Sequence, residues 1–205
     1  MPKSLHYPLA NRDSLPRWRK QLLQRLPFEP VSAETYQVHY YDSFDWRLFR
    51  ANKVLQWKQR NDESLLCLHS TDIEGPRTVM PLDRQPSGFA SALPPGQIRE
   101  ELDGLLGLRA LLPVVTTEIR SLPFHWIDKE GKTRLRVFLD HHKLIDADGN
   151  RRTLSKEIRV VPLQGYAKTA KRVTSVLEEE LGLSPADGDL LSQALAGANA
   201  TAGGY

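Results

Sequence analysis

The sequence predicts an antiparallel α+β fold of seven or eight strands with two or three helices. Three observations carry that prediction. Apolar residues recur mostly with the period of two that a half-buried strand needs. Few stretches carry the helical period, and strands follow strands without the strict β-helix-β alternation of a parallel sheet.

Residues 15–30, LPRWRKQLLQRLPFEP, read as a short amphipathic helix with Leu22, Leu23 and Leu26 on its apolar side and Pro27 and Pro30 ending it. TYQVHYY has the aromatic and β-branched content of a strand, and NKVLQWKQR and ESLLCLHS form a hairpin across the turn signal Asn61-Asp62. A loop dotted with Pro and Gly runs from Ile73 to Pro95. Ile98, Leu102, Leu105 and Leu106 then have the spacing of a short helix face. ALLPVVTTEIR, LPFHWID, KTRLRVFLD and LSKEIRVVPL are the later strands, with turns at Lys129-Glu130-Gly131 and from Asp146 to Asn150, and HHKLI is a separate short strand. GYAKTAKRVTSVLEEELGL is the strongest helix, with Gly182 as its C-cap. Its basic residues come early and Glu178 to Glu180 late, an arrangement unfavourable to the macrodipole, so packing of Val173, Val176, Leu177 and Leu181 has to hold it. AGANATAGGY has neither bulk nor charge and reads as a frayed tail or the start of an interdomain linker.

A chain of 205 residues, 26% charged and 40% hydrophobic, fits one ordinary domain with a short appendage and excludes collagen-like and wholly disordered classes. No apolar run reaches the length of a membrane span, and MPKSLHYPLANRD lacks the apolar core of a signal peptide, so the default expectation is a cytoplasmic protein. Cys67, the one cysteine, reads as a buried core thiol. The net charge of +3 hides a strong alternation. Residues 1–60 hold 11 Lys and Arg against 5 Asp and Glu, and residues 111–175 hold 13 against 7; the stretches 61–110 and 176–205 are acidic. Basic blocks that meet in space can focus potential on an anion while the total stays low.

Strand alternation gives the candidate residues. In TRLRVFLD, Leu135, Val137 and Leu139 share one face, and Arg134, Arg136, Phe138 and Asp140 the other. Gln56, Lys58 and Arg60 lie opposite Leu55 and Trp57, while Glu157 and Arg159 lie opposite Lys156, Ile158 and Val160. Arg binds phosphate oxygens through a planar fork and Lys as a point charge, so these faces suit a polyanion or form a solvated exterior. In YYDSFDWRLFRANK, a turn places Arg47 and Arg50 three residues apart; Asp42 caps it and Asp45 accepts from backbone or arginine groups. His141 and His142 are adjacent and point to opposite faces, which makes them a poor pair for one metal and ordinary surface or interface residues. No glycine-rich phosphate loop, GxSxG, HExxH or paired CxxC motif occurs. Nucleic acid is an unlikely partner, because Trp46, Trp57 and Trp126 sit in strand contexts that suit core packing rather than base stacking.

TYQVHYYDSFDWRLFRANKVLQWK resembles the early segment of CYTH, or triphosphate tunnel, domains, in which an aromatic strand ends in a Y-[YF]-D-T-x-D-like turn and a basic strand follows. TRLRVFLD and LSKEIRVVPLQGYAKTAKRVTSVLEEELGLSP are similar to the distal half of that family, in particular the divergent domains that precede a helical CHAD module in bacterial proteins. The resemblance covers roughly residues 34–185 and implies an eight-stranded antiparallel β-barrel or tunnel with flanking helices, occupying residues 1–190, with 191–205 as tail or linker. It implies a basic interior that holds triphosphate or polyphosphate, here through Arg47, Arg50, Lys58, Arg60, Arg134, Arg136, Lys156 and Arg159, with Mg²⁺ or Mn²⁺ on Glu157 and Asp140 if triphosphatase activity is present. The chain departs from the family at the metal positions. KSLHYPLA stands where an acidic E-x-E-x-K strand is expected, KEIRV places Arg159 at the second Glu of a closing E-x-E, and His69 replaces a TLK-like lysine. The implied function is therefore binding of a phosphorylated anion by a catalytically degenerate tunnel. The alternatives are a metal-dependent inorganic triphosphatase and an interaction domain that orients a following CHAD module.

Overall fold

The computed structural model describes residues 4–61, 63–71, 77–186 and 190–200. In chain order the elements are β1 (Leu5–Leu9), α1 (Leu15–Arg25), β2 (Glu29–Pro30), β3 (Glu34–Asp42), α2 (Arg47–Arg50), β4 (Lys53–Arg60), β5 (Glu63–Ser70), β6 (Thr78–Pro81) and β7 (Gly88–Phe89). There follow a 3₁₀ turn (Ala90–Ala92), α3 (Gln97–Leu106), β8 (Ala110–Ile127), β9 (Thr133–Ile145), β10 (Arg151–Pro162), α4 (Ala167–Ser175), a π turn (Val176–Glu180) and α5 (Leu190–Gly197). The antiparallel sheet has the order β1-β10-β9-β8-β3-β4-β5-β6, and β2 and β7 each add two residues against β8. The antiparallel α+β class is as expected. Among the described residues β6 does not pair back onto β1, so the sheet is open rather than a closed barrel.

Several boundaries differ from the sequence reading. The two strands expected across residues 110–128 are one strand, β8, that runs through Pro123. Proline survives there because the position beside it is taken by the two-residue β2, and its carbonyl still accepts from the Val31 N–H at 3.0 Å. HHKLI is the end of β9 rather than a strand of its own. The Ile73–Pro95 loop contains β6 and β7, while residues 72–76 lie outside the described residues, as does Asp62 of the hairpin turn. In the stretch read as a tail, α5 buries Ala194 and Leu195. No helix among the described residues is long and apolar enough to cross a membrane.

Two compact units divide the chain: residues 1–35, 119–143 and 153–189 form the first, and 36–118, 144–152 and 190–205 the second. In the first unit, Leu135, Val137 and Leu139 of β9 and Ile158 and Val160 of β10 pack with Leu22 of α1, Val173 of α4 and Leu177 of the π turn. Each such fully buried aliphatic side chain contributes on the order of 2 kcal/mol. The acidic end of the last long helix has specific partners. Tyr7 Oη donates to Glu178 at 2.7 Å, and Arg25 Nε lies 3.5 Å from Glu180. Burial, then the Glu178 contact, push the Tyr7 hydroxyl well above its ordinary value. Gly182 takes the left-handed φ of 68° that reverses the chain, and the Leu183 N–H closes the end on the Leu177 carbonyl at 2.9 Å.

In the second unit, Leu55 and Trp57 of β4 and Leu66 and Leu68 of β5 pack with Ile98, Leu102 and Leu106 of α3, the helix face read from the sequence. Trp57 Nε1 donates to the Leu82 carbonyl at 2.8 Å, and Cys67 is buried as expected. The YYDSFDW turn becomes α2. Asp42 accepts from the N–H groups of Ser43, Leu48 and Phe49 at 2.7, 2.9 and 2.9 Å, which caps the helix. Trp46 precedes α2 with a left-handed φ of 56°, outside the strand context assigned to it, and its ring meets Phe49 edge-on at 6.3 Å.

Candidate functional site

Strand β9 positions the site in the first unit. Its residues 135, 137 and 139 are buried in the apolar core, so Arg134, Arg136, Phe138, Asp140 and His142 occupy the other face, as the alternation predicts. Antiparallel pairing of β1 with β10 sets His6 opposite Arg159 and Pro8 opposite Glu157. The expected first strand is thus present, and it brings an imidazole to the position beside Glu157.

Four strands converge here. His142 Nε2 lies 3.2 Å from Glu157 Oε1, and His6 Nδ1 lies 3.0 Å from Glu157 Oε2. Arg159 Nε donates to Asp140 Oδ2 at 2.9 Å while its guanidinium sits 4.1 Å from the Phe138 ring centre, and Ser121 Oγ of β8 donates to Asp140 Oδ1. Asp140 and His142 are buried, and one ligand atom each from Asp140, His142 and Glu157 falls within 4.8 Å of the others. Burial alone would raise the Glu157 carboxyl, but hydrogen bonds from His142 and His6, and their charge, hold it far below the usual carboxylate range. An ionised carboxylate only accepts, so both imidazoles turn an N–H toward it. His142 Nδ1 is buried with no hydrogen-bond partner.

His141 and His142 do point to opposite faces: His141 Nε2 is 3.0 Å from Thr153 Oγ1, away from the cluster. The reading of both as ordinary surface or interface residues is corrected for His142. The sequence argument asked whether the adjacent pair could chelate together. It did not ask whether one of them could join residues from β1 and β10.

The metal implied by the fold family is Mg²⁺ or Mn²⁺. Hard Mg²⁺ needs near-octahedral oxygen ligation, whereas this cluster offers two carboxylates, one of them engaged by a guanidinium, together with imidazole nitrogen. The residues do not fit Mg²⁺.

The expected anion-binding residues separate into groups. Of those in the first unit, Arg159 joins the cluster, Arg134 pairs with Asp128 at 3.2 Å, and Arg136 is exposed with no carboxylate partner among the described residues. Lys156 is turned to the opposite face and donates to the carbonyls of Asn11 and Asp13. In the second unit, Arg47 is held by Asp45 at 3.2 Å and the Leu105 carbonyl at 3.3 Å, and Arg50 is exposed. Lys58 and Arg60 share the β4 face opposite Leu55 and Trp57, and each interacts with a neighbouring group. Two histidines near these side chains are held below their ordinary value. Burial lowers His125 and Arg136 adds to it, while Glu29 and Glu34 act in the opposite direction. His69 is lowered first by burial, against the Ser70 carbonyl, and further by Arg77 and Lys58.

No protein-family model and no curated protein sequence matches the chain. Solved structures do match. One from Hippeastrum, described as a candidate adenylyl cyclase with a dominant triphosphatase activity, superposes with a TM-score of 0.67 at 15% identity over 96% of both chains. A candidate adenylate cyclase from Bacillus halodurans gives 0.62 at 14% identity over 94% of this chain and 96% of its own, and another from Vibrio parahaemolyticus gives 0.52 at 11% over 93% and 95%. The fold is that of a CYTH, or triphosphate tunnel, domain.

Proposed function

We propose that this domain binds a phosphorylated anion, tripolyphosphate or a longer polyphosphate, through its basic strand faces and without Mg²⁺-dependent turnover. The carrying observation is Arg159, which stands on Asp140 at 2.9 Å where the family resemblance calls for a second glutamate. Exchanging −1 for +1 beside two remaining carboxylates weakens the attraction for a hard dication. Exposed Arg136, on the polar face of β9, supports the same reading. Calorimetric titration with tripolyphosphate in chelator tests it. Binding is expected at low ionic strength, weakening as salt is added and falling roughly 10-fold in Arg136→Glu. No binding at low ionic strength overturns it.

A metal-dependent triphosphatase is the second reading, favoured by the activity described for the Hippeastrum protein and by the retention of Glu157 and Asp140. It predicts phosphate release from tripolyphosphate in Mg²⁺ or Mn²⁺ that disappears in Glu157→Gln. A background rate in the unaltered protein rules it out.

A further inference from the structure

We propose that Asp140, His142 and Glu157 form a binding site for a borderline divalent cation of the Zn²⁺ class, distinct in ligand chemistry from an all-carboxylate Mg²⁺ site. Their ligand atoms lie within 4.8 Å of one another on two adjacent strands. The 3.2 Å between His142 Nε2 and Glu157 Oε1 is close to a tetrahedral edge, about 3.3 Å for metal–ligand bonds of about 2.0–2.1 Å. A cation can therefore replace the shared proton with little movement of either side chain.

The outer partners are in place as well. His6 holds the far oxygen of Glu157, and Ser121 and Arg159 hold the two oxygens of Asp140, which orients both carboxylates. Each Asp140 oxygen keeps a second lone pair for a metal. The His142 side chain is only 5% exposed, yet its Nδ1 has no partner. Its Nε2 is the nitrogen that faces Glu157 and would ligate. Imidazole nitrogen beside carboxylate oxygen suits Zn²⁺ and selects it over Mg²⁺.

The test uses the untagged full chain, stripped with chelator and titrated with Zn²⁺ alone. One equivalent is expected to bind at least about 100-fold more tightly than Mg²⁺, and zinc-edge absorption should show nitrogen and oxygen neighbours without sulfur. Removing ligands in His142→Ala or Glu157→Gln lowers affinity by more than about 100-fold, and removing the orienting His6 in His6→Ala lowers it about 10-fold. Should a variant fail to fold by circular dichroism, the absorption spectrum of the unaltered protein decides. No preference for Zn²⁺ over Mg²⁺, a sulfur neighbour, or unchanged affinity in folded His142→Ala overturns the proposal and leaves a hydrogen-bonded network. The inference does not depend on anion binding: Zn²⁺ uptake by a protein that ignores tripolyphosphate sustains it while sinking the functional reading.

Discussion

Arg159 and Asp140 form an ion pair in which the acid is almost wholly enclosed, its side chain 1% exposed, and the guanidinium is capped by the Phe138 ring. Such a pair contributes little over an apolar replacement of both partners. Its importance appears when one member is removed, because the other is left charged and buried.

Arg159→Leu should therefore lower unfolding free energy by about 3 kcal/mol, read from urea denaturation. The double variant Arg159→Leu, Asp140→Leu should recover part of that loss. A single variant as stable as the unaltered chain would show that Ser121 alone satisfies the carboxylate.

Asp45 predicts a pH effect in the second unit. Burial raises its carboxyl, but the Ser43 hydroxyl, Arg47 and Arg109 outweigh burial and bring it to about 2 from 3.8. Because the folded value lies below the unfolded one, the contribution is complete above 3.8 and is lost as pH falls toward about 2. Urea midpoints of Asp45→Asn should show a shallower decline across that window than those of the unaltered protein.

Asp42→Ala exposes a different dependence. Three backbone N–H groups lose their acceptor at a buried helix start, so a loss of about 3 kcal/mol is expected in thermal or urea unfolding. Asp42→Asn, which keeps one carbonyl oxygen, should lose less.

Leu135 and Leu108 make a paired test of packing. Leu135 is 0% exposed and Leu108 is 91% exposed. Leu135→Ala should cost about 3 kcal/mol and Leu108→Ala less than about 0.5.

These particulars show what the sequence made legible. Leu135, Val137 and Leu139 announced their strand and its polar face because burial on one side imprints a period of two. Ile98, Leu102 and Leu106 did the same for a helix. Continuity of β8 was hidden because Pro123 looks like a break unless the neighbouring β2 is known. The four residues of α2 carry no period at all. The cluster was half visible: Asp140, Glu157 and Arg159 followed from strand faces, but His6 lies 151 residues from Glu157. Only the register of β1 on β10 brings it there, and nothing in local composition encodes that register.

Strand β9 changes its sheltered side midway. Odd positions are enclosed through Leu139, whereas Asp140 and His142 are enclosed at even positions. Two opposite burial rules thus meet at one peptide bond. Deleting a single residue upstream would bring Arg134 and Arg136 toward the oily interior, and inserting one downstream would exchange His142 for His141 at the cluster. The segment's length is consequently as constrained as its composition, and evolutionary drift here should proceed by substitution rather than by insertion or deletion.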